Sequence, residues 1–324
     1  MKRRSFRAGD RVVVRAPEEI LSTLDADGTL HGLPFMPEML EWCGRPFRVE
    51  RRAEKTCVDV APPLYPNRRF AANDVVFLDG PRCDGHGHDG CKRGCKIFWK
   101  EDWLRPFESG EASSQTSRTG LAELLRRLKT KSDENHYVCQ STRLCQATED
   151  FPGKKKPWML RILFREIRQG ARSVSEVVKL FVLWSSQRLL RVVHAERLHG
   201  PRGPTPTVSL GLEPGDLVRV KSRAEVEATL DHRSRNRGMG ICYEMTRYCE
   251  GHAEVEARVD RLIDERTGTM REIRDTVTLR NMRSTRMAPR DQECLCSDEL
   301  GDCPRGELMY WREIWLERAN GRGR

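Results

Sequence analysis

An internal repeat is the feature that most constrains the fold of this 324-residue chain. Residues 9–52 align without a gap to residues 215–258, and 15 of the 44 paired residues are identical. The match returns later, where "WKEDWL" (99–104) pairs with "WREIWL" (311–316). Because an ungapped match preserves strand register, we expect two copies of one fold on either side of a unique middle.

Each copy has the residue pattern of a mainly-β unit. "GDRVVVR" and "GDLVRVK" are turns followed by alternating strand residues, and "PEEILSTLD" predicts a short helix after the first of them. "FRVERR", "DVVFLDG" and "IFWKEDWL" are further strand candidates, with counterparts "AEVEAR", "DTVTLRN" and "LMYWREIWL". The sequence therefore predicts an α+β chain in which two β repeats flank a helical segment.

Composition divides the chain further. Stretches rich in Gly, Ser, Thr and Pro are typical of linkers between folded segments. The predicted order is a first Cys-rich β repeat, a linker, a basic helical segment, a second linker, a second Cys-rich β repeat and a tail, at residues 1–107, 108–120, 121–198, 199–214, 215–318 and 319–324.

The Gly-Asp-led first strand and the aromatic-rich closing strand resemble small SH3-like barrels of the KOW type. The combination of "CDG…HDGCKRGC" with "CPRG…YWREIWL" is also similar to an uncharacterised bacterial family of cysteine-rich tandem-repeat proteins. The first resemblance implies that each repeat folds as a small barrel. The second implies no particular activity.

Twelve cysteines predict metal binding if the chain stays in the cytoplasm. No apolar h-region follows the basic start, and no apolar run approaches the roughly 20 residues that span a bilayer. We therefore expect a cytoplasmic protein, in which thiols stay reduced and serve as ligands more often than as disulfides.

The glycine-rich loop "CDGHGHDGCKRGC" (83–95) is the strongest candidate for a structural zinc site. Closely spaced thiolates can close on one ion at low entropic cost. We expect ligation by Cys83, Cys91 and Cys95, completed by Cys43, with His88 and Cys57 as alternates.

The second repeat carries a weaker version of this site. Cys249 matches Cys43, and the predicted ligands there are Cys249, Cys294, Cys296 and Cys303. The remaining thiols suit a role as small buried apolar side chains, and these are Cys139, Cys145 and Cys242.

The middle of the chain holds all of the formal charge of +10. Residues 117–205 contain 18 Lys/Arg and 8 Asp/Glu, which indicates an acidic partner. The candidate binding residues are Lys154, Lys155, Lys156, Arg161 and Arg165. "VVKLFVLW" (177–184), in a helix opened by "SVSE", favours burial because it is apolar nearly all round, and contact with a membrane surface is the alternative.

Two tryptophan pairs are further candidates for binding. On a strand, Trp99 and Trp103 would share a face with Glu101, as would Trp311 and Trp315 with Glu313. Such a face could bind a partner, although half-buried core with a surface carboxylate is the commoner meaning.

These features favour a zinc-stabilised, non-catalytic binding or accessory protein whose β modules and basic helices hold a protein or other acidic partner. The alternatives are a metalloenzyme with its site in the first repeat and a nucleic-acid-binding protein. No metalloprotease, deaminase or nucleophile motif accompanies the loop, which disfavours the first alternative. The nearly neutral repeats disfavour the second.

Overall fold

The computed structural model describes residues 5–58, 67–108, 118–150, 164, 167, 168, 173–175, 177, 178, 181, 182, 200–241, 243–283 and 305–319. The chain forms two compact units. The first comprises Met1–Val178 and Ile263–Arg271, and the second comprises Lys179–Leu262 and Glu272–Arg324. Both are rich in strands with a few short helices, so the predicted α+β class is confirmed.

An antiparallel five-stranded sheet forms the centre of the first unit. Its elements in chain order are β1 (Arg11–Val14), α1 (Pro17–Leu21), β2 (Thr29–Leu30), β3 (Leu33–Pro34), a 3-10 helix (Pro37–Trp42), β4 (Pro46–Arg52), β5 (Thr56–Cys57), β6 (Asn67–Arg69), β7 (Val75–Leu78), β8 (Trp99–Lys100), a 3-10 helix (Glu101–Trp103) and β9 (Leu104–Pro106). The strands are ordered β8-β7-β4-β1-β9, and β2 and β3 form a separate hairpin.

Two helices from the middle of the chain also belong to the first unit. They are followed by one short strand, and the three elements are α2 (Arg118–Arg127), α3 (Gln140–Ala147) and β10 (Glu149–Asp150). Leu124 and Leu144 are fully buried in the core of this unit, and β10 pairs with β6. The helical part of the chain therefore begins earlier than residue 121 and packs on the first sheet.

The second unit repeats the central sheet. Its elements are β11 (Leu217–Val220), α4 (Arg223–Glu227), β12 (Arg235–Asn236), β13 (Met239–Gly240), a 3-10 helix (Tyr243–Tyr248), β14 (His252–Arg258), β15 (Arg261–Ile263), β16 (Met270–Glu272), β17 (Thr276–Arg283), β18 (Tyr310–Arg312), a 3-10 helix (Glu313–Trp315) and β19 (Leu316–Arg318). The sheet order is β18-β17-β14-β11-β19. Most of the hairpin of β15 and β16 belongs to the first unit, which includes residues 263–271.

The register of the two sheets follows the sequence repeat. Val12 pairs with Phe47 in the first sheet, and Val218 pairs with Ala253 in the second, which is the same pairing displaced by 206 residues. In both sheets the first strand also pairs with the last one, β1 with β9 and β11 with β19. The expected common register is therefore present.

The stretches predicted as closing strands are interrupted. In "IFWKEDWL", β8 ends at Lys100, a 3-10 turn covers Glu101–Trp103, and β9 follows. The turn redirects the chain, so β9 pairs with β1 instead of continuing beside β7. Alternation of apolar residues alone could not reveal this break, because one turn of 3-10 helix also buries both of its end residues.

In the helix that "SVSE" is predicted to open, most of the described side chains are exposed. Val178, Phe181 and Val182 are 55%, 50% and 59% exposed, so the burial expected for this stretch is wrong for these residues. Among the described residues, no helix is long and apolar enough to cross a membrane.

Candidate metal centre

Backbone hydrogen bonds bring the two ends of the 83–95 loop together. The amide of Cys83 donates to the carbonyl oxygen of Cys95 at 2.9 Å, and Arg82 and Lys96 form an isolated antiparallel bridge beside them. Gly85 adopts a positive φ of 73°, and a Cβ there would lie 2.1 Å from the carbonyl oxygen of Cys91. Only glycine permits this close approach, so the loop folds back until Cys91 meets its first turn.

His88 is buried inside the loop and bonded through both ring nitrogens. Nδ1 lies 2.6 Å from Oε1 of Glu38, and Nε2 lies 2.9 Å from the carbonyl oxygen of Val138. Burial lowers the pKa of His88, but the hydrogen bond and charge of Glu38 outweigh it and raise that pKa above its usual value. His88 therefore links the loop to two other segments and has no nitrogen left for a metal.

The first residues of α3 contact the loop and the backbone just after it. The side chain of Gln140 accepts from the amide of Phe98 at 2.8 Å and donates to its carbonyl oxygen at 2.9 Å. Sγ of Cys95 lies 3.4 Å from Oγ of Ser141. These contacts hold Cys139, a residue that we expected to serve only as a buried apolar side chain, next to the cysteines of the loop.

The thiols of the loop and of Cys139 influence one another. Burial raises the pKa of Cys83 far above its usual range, and the charges of Glu38, Cys95 and Cys139 add to the increase. Burial also raises the pKa of Cys139, with a further contribution from Cys91.

Two of the predicted first-site ligands lie in other surroundings. Cys43 is buried in the core after the 3-10 helix Pro37–Trp42, where burial and the carboxylate of Glu18 raise its pKa to about 12. Cys57 lies on β5, paired with Asn67 of β6.

The second predicted site is only partly described. Burial raises the pKa of Cys249 to about 11, whereas Cys294, Cys296 and Cys303 lie outside the described residues. Cys242 is also outside them, and Cys145 is exposed instead of buried. The candidate binding residues Lys154, Lys155, Lys156, Arg161 and Arg165 lie outside them as well.

All four tryptophans of the candidate binding face are inside the cores. Trp99, Trp103, Trp311 and Trp315 have no exposed surface. Glu101 is 9% exposed and Glu313 is not exposed at all. A surface that binds a partner needs accessible rings, so we do not retain these residues as a binding surface.

The described residues hold no ready-made metal site. Within the ranges given above, no three Cys, His, Asp or Glu side chains already surround a common point at metal-binding distance. Zinc binding would therefore require the cysteine side chains to turn toward one another. The amide of Ile263 donates to Sγ of Cys91 at 3.4 Å.

Comparisons with protein-family models, with curated proteins and with solved structures found no match to this chain.

Proposed function

We propose that this chain is a non-catalytic binding protein, in which two SH3-like barrels present a basic segment to an acidic partner and zinc closes the 83–95 loop. The observation that carries the binding role is the exposure of large apolar side chains within the basic segment. Phe164 is 67% exposed and Val174 is 62% exposed, in addition to the valines 178 and 182. Exposed apolar groups among positive charges are typical of a contact surface.

The barrel proposal is supported by the pairing of the first strand of each repeat with its last strand, a pairing that a small barrel also needs. An irregularity in the pairing of β4 with β7 lies between Val49 and Arg51, and β14 has irregularities at the corresponding place. Bulges of this kind bend a strand and help a sheet to curl.

The zinc proposal is supported by the composition of the loop. Apart from its cysteines and glycines, the loop contains only polar and charged residues. Burial of apolar groups therefore offsets little of the free-energy cost of ordering the loop, which is about 1–2 kcal/mol per residue. A structural zinc ion can supply on the order of 10 kcal/mol in a small folded unit.

Binding of the intact chain to anionic vesicles, duplex DNA, RNA and poly-glutamate at several salt concentrations tests the role of charge. We expect binding to at least one of them that weakens with salt and that falls in the variant Lys154→Ala/Lys155→Ala/Lys156→Ala. A control variant, Arg7→Ala/Arg45→Ala/Arg48→Ala, removes three exposed charges from the first unit and should bind normally. Binding that ignores salt and the lysines would overturn the electrostatic role.

The contribution of the apolar side chains can be tested separately. Val178→Ser/Val182→Ser should weaken binding, whereas Val208→Ser, at a 40% exposed valine outside the basic helices, should not. Equal affinity of all three proteins would show that the exposed valines of the basic segment do not touch the partner.

A further inference from the structure

We propose that Cys139 supplies the fourth thiolate of the zinc site, together with Cys83, Cys91 and Cys95. The inference rests on the proposed zinc role of the loop and goes beyond it by naming a ligand outside the repeat. The metal would then fasten the loop of the first repeat to the segment that opens α3.

Hydrogen bonds on both sides of Cys139 hold it against the loop. The carbonyl oxygen of Val138, the residue before it, accepts from Nε2 of His88 at 2.9 Å, and Gln140, the residue after it, makes two hydrogen bonds to the backbone of Phe98. Ser141 follows, 3.4 Å from the sulfur of Cys95. The neighbours of Cys139 on both sides therefore contact the loop, at His88 and at Cys95.

The chemistry of the four residues suits one tetrahedral zinc ion. A zinc ion bound by four cysteines takes each sulfur at about 2.3 Å and needs all four as thiolates, so binding releases four protons to solvent. Cys139 is the N-cap residue of α3, an eight-residue helix whose first residues contact Phe98 and Cys95.

The other candidates for the fourth ligand are less suitable. Cys43 belongs to the hydrophobic core itself, whereas Cys83 and Cys139 are only partly buried against it. His88 would have to break its hydrogen bonds to Glu38 and Val138 before it could bind a metal. Cys139, by contrast, lies between residues that already contact His88 and Cys95 of the loop.

The test uses the full chain purified with zinc under reducing conditions. Zinc per chain is measured by elemental analysis, and zinc affinity by competition with a chelating dye, for Cys83→Ser, Cys139→Ser, Cys43→Ser and Cys145→Ser. We expect Cys83→Ser and Cys139→Ser to weaken zinc binding by about 100-fold or more, as loss of a ligand should exceed the effect of losing an outer-shell partner. Cys43→Ser and the exposed-thiol control Cys145→Ser should keep one zinc.

Two measurements keep the test decisive if a serine variant folds poorly. Cys139→His retains a ligand atom, so cobalt(II) should bind with about a quarter less sulfur charge-transfer absorption than in the wild type. Maleimide labelling of the wild type, read by peptide mass spectrometry, should show Cys139 protected by zinc together with the three loop cysteines, and exposed Cys145 labelled with or without metal.

The outcomes separate the two proposals. Loss of zinc in Cys83→Ser and Cys43→Ser with full zinc in Cys139→Ser, or equal labelling of Cys139 with and without zinc, would overturn the assignment of Cys139 and leave the zinc site standing. A wild-type chain that binds no zinc would overturn both.

Discussion

At the scale of single residues, a buried glutamate anchors the chain ahead of each sheet. Oε1 of Glu101 accepts from the amide of Phe6 at 2.8 Å and from Nη1 of Arg52 at 2.5 Å. In the second unit, Glu313 accepts from three successive amides, including Gly211 at 2.9 Å, and from Arg258 at 3.2 Å. The arginines are identical in the two copies because both hold this carboxylate.

Replacement of Glu313 should destabilise the second unit strongly. Glu313→Ala leaves three amides and a guanidinium without their acceptor, and we expect a loss of about 2–4 kcal/mol in the free energy of unfolding, measured in urea. Glu317→Ala is the control, because its ion pair with Arg219 is partly exposed and should be worth about 1 kcal/mol or less. Similar losses in the two variants would contradict the anchoring role.

His88 should matter for stability and not for zinc. His88→Gln leaves the carboxylate of Glu38 buried without its partner, and we expect the first unit to lose about 3 kcal/mol or more. The matched control is His86→Gln in the same loop, where the ring is 54% exposed and the change should cost about 0.5 kcal/mol or less. Both variants should keep one zinc, and a His88→Gln chain that loses zinc at unchanged stability would make His88 a ligand.

The sequence could indicate which residues matter but not what they touch. Thr23 and Thr229 are identical in the repeat, yet only the structure reveals that they accept from the indole nitrogens of Trp103 and Trp315 at 3.2 and 3.0 Å. The place of Cys139 beside the loop could not be predicted for the same reason. No local spacing connects it to the loop, since the contacts that bring it there join residues more than 40 positions apart.

At the scale of elements, the periodicity and spacing of the sequence predicted the positions of the strands well. They predicted poorly which face of a helix is buried. β7 lies within a predicted strand, β4, β14 and β17 extend one or two residues beyond theirs, and α1 begins at the predicted proline. In α2, Leu124 is fully buried, whereas Leu125 is 49% exposed. Which leucine faces the core depends on how α2 packs against α1. The helical periodicity of the sequence does not reveal that packing.

The two leucines make a matched test of that packing. Leu124→Ala should destabilise the first unit by about 2–5 kcal/mol, because it opens a cavity in the core. Leu125→Ala should change the free energy of unfolding by about 0.5 kcal/mol or less. Thermal or urea denaturation of the full chain measures both, and equal effects would show that α2 is not part of the first core.

At the scale of the whole molecule, the described residues form two separate hydrophobic cores. We expect two unfolding transitions, one for each core. Leu124→Ala should lower the midpoint of one transition and Glu313→Ala the midpoint of the other, which assigns each to its unit by differential scanning calorimetry.

Removal of metal should act on these transitions unequally. A chelator such as EDTA is expected to lower the midpoint of the transition that Leu124→Ala identifies, because the four cysteines of the proposed site belong to the first unit. If the weaker site predicted around Cys249 binds metal, the chelator should also lower the midpoint of the second unit's transition. If neither midpoint moves, zinc does not stabilise either unit.

The discontinuous composition of the first unit affects how the protein is made. Residues 263–271 complete that unit: the amide of Tyr137 donates to the carbonyl oxygen of Gly268 at 2.7 Å, and Arg93 pairs with Glu265 at 3.1 Å. Domains usually fold in order as they emerge from the ribosome. Here the first unit cannot be completed until residues 263–271, and thus most of the chain, have been translated. A nascent chain stalled before residue 263 would therefore expose the surface that these residues cover, and would be a substrate for chaperones and proteases throughout the pause.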